Sequence, residues 1–324
     1  MNLDNLVRIP GTDLKAYPLF LGATPFGWTT DEIGSHRVLD AYWELGGNAI
    51  DTADMYADGL SETIIGNWIV NKGNRNELVI ATKVGNKPDR LGLSYENIMQ
   101  ACNESLARLK TSYIDILFAH NDDLSIEPKE TLEAFGHLID QGIVRYIGAS
   151  NFSSERLKYS MQVSKTKYSM VQDKYNVVER FEYEKGLRQT VMEEGISNLP
   201  YFGLAKGFLT GKYRKGTPKS TWAAAHGSIG VGEYNHKSYF QILSVLTEIA
   251  EEIGCSVSAV ALAWLRQQHS VSIPLASART VEQLAEIAQV VTLKSEHLDA
   301  ITTISNTLDP QKSSFVKRFS RRML

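Results

Sequence analysis

Asp51, Tyr56, Lys83 and His120 are the residues whose types and spacing could carry acid–base chemistry in this chain. Short apolar runs end on three of them: NAID on Asp51, VIATK on Lys83 and IDILFAH on His120. Tyr56 lies just past the first run, within DTADMYADGLSE (Asp51 to Glu62). One such ending carries little information, because a strand must stop on something polar. Several convergent endings are how a barrel builds a reactive centre at the carboxyl ends of its strands. A free phenol ionises near pH 10, which makes it a poor proton donor at neutral pH unless it is tuned. A nearby ammonium favours the phenolate, and Lys83 would supply that charge. Asp51 would pair with Lys83 and fix its position, while His120 would hydrogen-bond and polarise a substrate oxygen. Taken singly, each residue has a plainer role: a loop tyrosine, a snorkelling lysine, a satisfied histidine, a turn acceptor. Taken in order, at successive strand ends, they read as one centre.

The elements that must position these residues alternate along the chain. Leu6 to Leu19 reads as a hairpin around Gly11-Thr12-Asp13. Phe20 to Ala23 is the first strand, and Asp31 caps a helix from Glu32 to Leu45. NAID is followed by a helix over Glu62 to Val70. LVIATK is followed by a helix from Tyr95 to Leu109, capped by Ser94. YIDILFAH precedes a helix from Pro128 to Gln141, and RYIGASN one from Ser153 to Ser164. SMVQDKYN, a helix from Glu184 to Glu194, ISNLPYFGL and VSIPLAS complete the series. Eight mostly continuous apolar strands alternating with helical patterns predict an α/β fold. The expected architecture is a (β/α)8 TIM barrel with an N-terminal β-hairpin, a single domain over residues 1–324. A doubly wound sheet lacks support, since no GxGxxG follows the first strand. The longest irregular stretch, Arg214 to Lys237, reads either as a lid or as simple disorder.

Composition narrows the classes. The chain has 324 residues, 43% hydrophobic, enough for a sizeable core. Its net charge of −3 provides no global attraction for nucleic acid. KRFSRR (Lys317 to Arg322) reads as a solvated tail or a weak anion contact. Cys102 and Cys255 have no CxxC or Cys/His neighbours and read as reduced core thiols. The N-terminal stretch does not have the form of a signal peptide, and no apolar run is long enough for a membrane span. A cytoplasmic protein without nucleic-acid or membrane partners is expected. Asp122 and Asp123 beside His120 could suggest a metal site with Asp51, but no His-x-His or His-Glu-x-x-His spacing supports one. No metal is expected.

The ordered set Asp51, Tyr56, Lys83 and His120 resembles the catalytic tetrad of the aldo-keto reductases, and the similarity runs from about Val7 to about Thr307. The resemblance implies that the hairpin plugs the bottom of the barrel. It also implies that Ser150 and Asn151 in GASNFS, with Gln172 in VQDKYN, bind a nicotinamide carboxamide. An amide needs one acceptor and two donors, which such side chains provide. Ser150-Asn151 could instead cap the following helix, and both roles can hold at once. Tyr201 in YFGLAKGFLTGKY would stack on the nicotinamide ring, and backbone amides around Leu204 to Gly207 would receive the pyrophosphate. Phe202-Gly203 stand where the commonest family form has Ser-Pro. Lys206 replaces a small residue and either pairs with pyrophosphate or points to solvent.

SIPLASARTVEQLAEI would be the adenosine end, with Ser277 and Arg279 at a turn suited to an anion. The family often has Gly where Ser277 stands and Asn where Ile287 stands, which leaves Gln283 and Glu286 as possible adenine partners. Arg279 could otherwise be a surface arginine at a helix start. Because Ser277, Ala278 and Arg279 include no acidic residue, NADP(H) is the expected cofactor. Trp28 would line the substrate site with Tyr56, His120 and the Arg214 to Lys237 loop, or sit as plain core at the barrel mouth. The implied activity is NADPH-dependent reduction of a small-molecule carbonyl substrate, an aldehyde or ketone, with Tyr56 as the acid. A sugar or polyol oxidoreductase and a nicotinamide-binding regulatory subunit, like the channel-associated members of the family, are the alternatives.

Overall fold

The computed structural model describes residues 6–213 and 231–308. Eight parallel strands form its central sheet: Phe20–Gly22, Ala49–Asp51, Val79–Val84, Ile114–Ala119, Val144–Ser150, Met170–Gln172, Ser197–Asn198 and Leu275–Ala276. Each pairs with its successor through the seventh, and the eighth returns to the first through Leu275↔Phe20 and Ala276↔Leu21. The ring closes where the Asn198 amide donates to the Ser270 carbonyl at 2.8 Å and the Ser272 amide to the Asn198 carbonyl at 3.1 Å. With helices packed around the strands this is a (β/α)8 barrel.

The period of two along each strand sorts the side chains into two cores. Ile50, Ile80, Leu117, Ile147 and Val171 face outward into the larger cluster shared with the helices. Ala49, Val79, Ala81, Ile116, Phe118 and Met170 face inward. Asp51, Lys83, Ser150 and Gln172 continue those inward rows at the carboxyl ends. Gly148 is inward too, level with Phe118, and a methyl group there would lie 2.2 Å from the Phe118 ring. The glycine makes room for the aromatic layer beneath the polar residues.

The hairpin forms as expected, with Val7–Arg8 antiparallel to Lys15–Ala16. Its residues Ile9, Leu14 and Ala16 belong to the inner cluster, so it stoppers one end of the barrel. Several helices start at the expected caps. Asp31 accepts from the Gly34 amide at 2.8 Å, and Ser94 accepts from Asn97 at 3.3 Å. The helix Leu60–Lys72 is longer than the sequence suggests because left-handed glycines, Gly59 and Gly73, bound it.

Three expectations need correction. The helix expected over Glu184 to Glu194 begins earlier and is broken into Phe181–Lys185 and Leu187–Glu193. Gly186 sits at the break with φ −104° and ψ −90°, outside the helical region. The seventh and eighth strands are much shorter than their apolar runs, because Pro200 and Pro274 have no N–H for a ladder. A second hairpin, Asn86–Lys87 with Arg90–Leu91, follows the third strand and has no counterpart among the elements read from the sequence. Of the expected irregular stretch Arg214 to Lys237, residues 214–230 lie outside the described residues, as does the basic tail Lys317 to Arg322. From Gly232 the chain forms a short turn and enters the helix Lys237–Ile253.

Candidate active site

Sheet register brings the inward polar residues together. Gly22 pairs with Asp51, Asp51 with Ala81, Lys83 with Phe118, and Gln172 with Ser150. Lys83 is fully buried and its Nζ has three partners. It donates to Asp51 Oδ1 at 2.6 Å, to the Thr52 carbonyl at 2.8 Å and to the Tyr56 hydroxyl at 3.4 Å. Three partners match the three protons of an ammonium. Burial pulls the Lys83 pKa down, but the Asp51 carboxylate and Tyr56 outweigh it, so Lys83 stays above its ordinary value and charged. The other oxygen of Asp51 accepts from Gln172 Nε2 at 2.8 Å.

Tyr56 is placed by the turn after the second strand. Its amide donates to the Ala53 carbonyl at 3.1 Å, and the two residues that follow, Ala57 and Asp58, hold φ values of 48° and 55°. Left-handed conformations in two successive non-glycine residues are strained, and such strain gathers where surrounding structure fixes a functional loop. The His120 ring meets the Tyr56 ring edge-on, with centroids 6.0 Å apart. Burial and then the Lys83 ammonium push the His120 imidazole down to about 3, so it is neutral at pH 7. Its buried Nδ1 has no partner among the described residues. A phenol, a fixed cation and a neutral imidazole thus meet at the carboxyl ends of the strands.

The nicotinamide residues expected from the sequence sit beside this centre. Asn151 has φ 58°, and its Nδ2 donates to the His120 carbonyl and to Asn121 Oδ1, both at 3.0 Å, and to Ser150 Oγ at 3.1 Å. The Tyr201 hydroxyl donates to Asn151 Oδ1 at 2.7 Å. Ser150-Asn151 is not the cap of the next helix, since Ser153 takes that role by accepting from the Arg156 amide at 3.1 Å. Asp122 and Asp123 are used locally: Arg156 Nε donates to Asp122 at 2.9 Å, and Asp123 accepts from the Leu93 amide at 2.9 Å.

A sequence model of the Aldo/keto reductase family matches residues 18–306. The chain belongs to the aldo/keto reductase family. It is 33% identical over 298 residues to a putative voltage-gated potassium channel subunit beta of Schizosaccharomyces pombe, covering 85% of each chain. It is 30% identical over 302 residues to an aryl-alcohol dehydrogenase [NADP(+)] of Phanerodontia chrysosporium, covering 85% of this chain and 78% of that one. Its fold matches a glycerol dehydrogenase of Gluconobacter oxydans with a TM-score of 0.81 at 27% identity, over 96% and 97% of the two chains. A thermostable aldo-keto reductase in complex with epalrestat matches with a TM-score of 0.76 at 25% identity, over 92% and 99%.

The remaining groove residues of this aldo/keto reductase are placed as follows. Phe202, Ala205, Lys206 and Gly207 all have positive φ, so the backbone coils tightly after the seventh strand. Two amides of that coil are turned inward, Ala205 to the Phe202 carbonyl at 2.7 Å and Gly207 to the Leu204 carbonyl at 2.9 Å. Lys206 Nζ pairs with Glu233 at 2.6 Å and lies over the Phe202 ring, so it does not simply point to solvent. Thr280 caps the helix Val281–Ile287, and Gln283 Oε1 accepts the Arg279 amide at 2.9 Å. Ser277 and Glu286 are exposed, and Ser277 lies against Gly22. Trp28 is half exposed on the loop after the first strand, so it is not plain core.

Sequence reasoning missed two features. Gln172 braces Asp51 across 121 positions, a contact with no local signal. Lys212 stands close to Arg279: burial first, and then that guanidinium, hold its ammonium below the ordinary value, with Glu286 acting in the opposite direction. Lys212 lies in the quoted stretch YFGLAKGFLTGKY, but only the tertiary fold brings it to the turn after the eighth strand.

Proposed function

We propose that this aldo/keto reductase reduces aldehydes or ketones to alcohols with NADPH, using Tyr56 as the proton donor. The observation that carries the reading is the buried chain Gln172–Asp51–Lys83–Tyr56, which ends at a phenol facing the barrel mouth. When bound, the nicotinamide supplies the hydride. Lys83 stabilises negative charge developing on the phenol as its proton leaves. Neutral His120 donates one ring N–H to the substrate oxygen and holds it toward the Tyr56 hydroxyl. Asp51 keeps Lys83 in place, and Gln172 keeps Asp51 in place.

The groove suits a phosphorylated dinucleotide. Ser150, Asn151 and Gln172 offer amide-binding groups beside the centre, and Tyr201 offers a ring face. Lys206 and the coil Phe202 to Gly207 lie between the two ends. Lys212 and Arg279 form a cation pair near the far end, with Ser277, Gln283 and Glu286 around it. Neighbouring cations relieve their repulsion by sharing an anion, as a 2′-phosphate would allow. The relative named as an NADP(+) enzyme supports the same choice.

Trp28, Leu91 and Leu124 are exposed on the connections that follow the first, third and fourth strands, Leu91 within the second hairpin. That apolar rim favours aromatic or aliphatic carbonyls over sugars. The test is steady turnover of a purified sample with NADPH against nitrobenzaldehyde, a simple ketone, glyceraldehyde and a hexose. Strong preference for the sugars would favour a polyol oxidoreductase, the reading that the glycerol dehydrogenase neighbour supports. No turnover of any carbonyl would favour the regulatory reading, which the channel-subunit relative supports.

A further inference from the structure

We propose that Asp54 is a positioning residue of the acid–base centre, whose carboxyl must be neutral for the Ala53–Tyr56 turn to hold the phenol at Lys83. The inference rests on the reading of Tyr56 as proton donor. Asp54 lies between Asp51 and Tyr56 and is fully buried, yet neither of its side-chain oxygens has a hydrogen-bond partner among the described residues. Its backbone belongs to the centre. The Asp54 amide donates to the Lys83 carbonyl at 3.0 Å, and the adjacent Ala53 carbonyl accepts the Tyr56 amide. Side chain and phenol therefore leave the same short turn.

The charged groups around the carboxyl come from three other elements. Glu62, on the helix Leu60–Lys72, is fully buried and repels a charge on Asp54. Arg108, on the helix Tyr95–Leu109, attracts such a charge, but its Nε already donates to Glu62 Oε2 at 2.7 Å. Arg90 and Lys87 lie on the hairpin after the third strand. Arg90 is paired with Glu104, and Lys87 with Asp58 and Asp89 at 3.0 Å each. Each cation acting on Asp54 thus has an anion of its own.

A carboxylate enclosed without donors is costly, and a neutral carboxyl much less so. Burial first and Glu62 second push the Asp54 carboxyl up to about 7, against the pull of Arg108, Arg90 and Lys87. Above that pH a second buried negative charge forms beside Glu62. Outward movement of the turn relieves it and draws Tyr56 away from Lys83. The strained pair Ala57 and Asp58 is where the turn gives way.

Asp54→Asn keeps the shape and cannot ionise. The native carboxyl holds its proton to higher pH than the unfolded one, so the contribution of Asp54 to wild-type stability falls as pH rises from about 4 to above 7, opposite in sign to that of His120. The variant lacks that slope. The single-turnover rate of nitrobenzaldehyde reduction by wild type falls several-fold between about pH 6 and pH 8, while the variant changes by less than about twofold. NADPH affinity, read by fluorescence quenching, is the same in both. Identical pH profiles for rate and stability overturn the inference. Should the variant fail to fold, selective ¹³C labelling of wild-type aspartate carboxyls replaces it. A resonance assigned to Asp54 that titrates near neutrality supports the proposal, and titration of that resonance below about pH 5 overturns it. Wild type inactive on carbonyls at every pH overturns the reductase reading, and the positioning role with it. An active enzyme whose stability differs from that of Asp54→Asn by the same amount at every pH overturns the Asp54 inference alone.

Discussion

At the scale of single residues, the centre is a set of saturated contacts around one lysine. Lys83→Met keeps the length and removes the charge, leaving Asp51 buried with Gln172 as its remaining partner. Breaking a buried pair this way typically costs about 3–5 kcal/mol. Because the Lys83 pKa is raised in the fold, its stabilisation is complete below about pH 10 and fades only as pH rises through the folded value. Denaturant unfolding should therefore show the deficit in full from neutral to mildly alkaline pH, together with a collapse in carbonyl reduction. Unchanged pH–rate behaviour would argue against the assignment. His120 gives the opposite sign. Its folded value of about 3 lies below the ordinary value of about 6.5, so the unfolded state binds more protons between the two. The stability it contributes is complete above about pH 6.5 and is lost as pH falls toward the folded value. His120→Gln should flatten that part of the stability–pH curve, and unfolding midpoints at neutral and acid pH check it.

At the scale of elements, each reactive residue sits where a strand hands over to a loop. That much is readable in sequence: alternation of apolar runs and helical patterns, polar endings, and caps such as Asp31, Ser94 and Ser153 all have local signatures. The outward and inward rows follow from the period of two once one inward residue is known. What is not legible is what depends on chains meeting across the barrel. Gln172 on Asp51 and Glu233 on Lys206 join residues whose neighbours in sequence give no sign of the contact. The break at Gly186 and the shortening of the last two strands by Pro200 and Pro274 were marked in the sequence by breaker residues inside otherwise continuous patterns. The prediction for this scale concerns the turn after the eighth strand. Arg279→Ala should weaken NADPH by about 1.5–3 kcal/mol, the scale of a charge-assisted hydrogen bond, and leave NADH nearly unchanged. Titration of both cofactors by fluorescence quenching decides it, and equal losses would mean that Arg279 serves the helix start.

At the scale of the whole molecule, the barrel separates stability from chemistry. The hairpin fills the lower end with Ile9, Leu14 and Ala16, while the polar residues crowd the other. Leu14→Ala should destabilise folding by about 2–5 kcal/mol through a cavity in the inner core. Turnover well below the melting transition should be nearly unaffected, and paired thermal unfolding and activity assays test both halves of that statement. The reach of the fold is to bring Asp51, Lys83, His120 and Gln172, from the carboxyl ends of four different strands, together beside one phenol. The most direct test is the single-turnover rate of carbonyl reduction by Tyr56→Phe, which removes the hydroxyl and keeps the ring. A fall of roughly 10²-fold or more, the scale of lost general acid catalysis, with NADPH affinity unchanged, is the predicted result. Retention of more than about half of the wild-type rate would contradict the account, because some other group would then be delivering the proton.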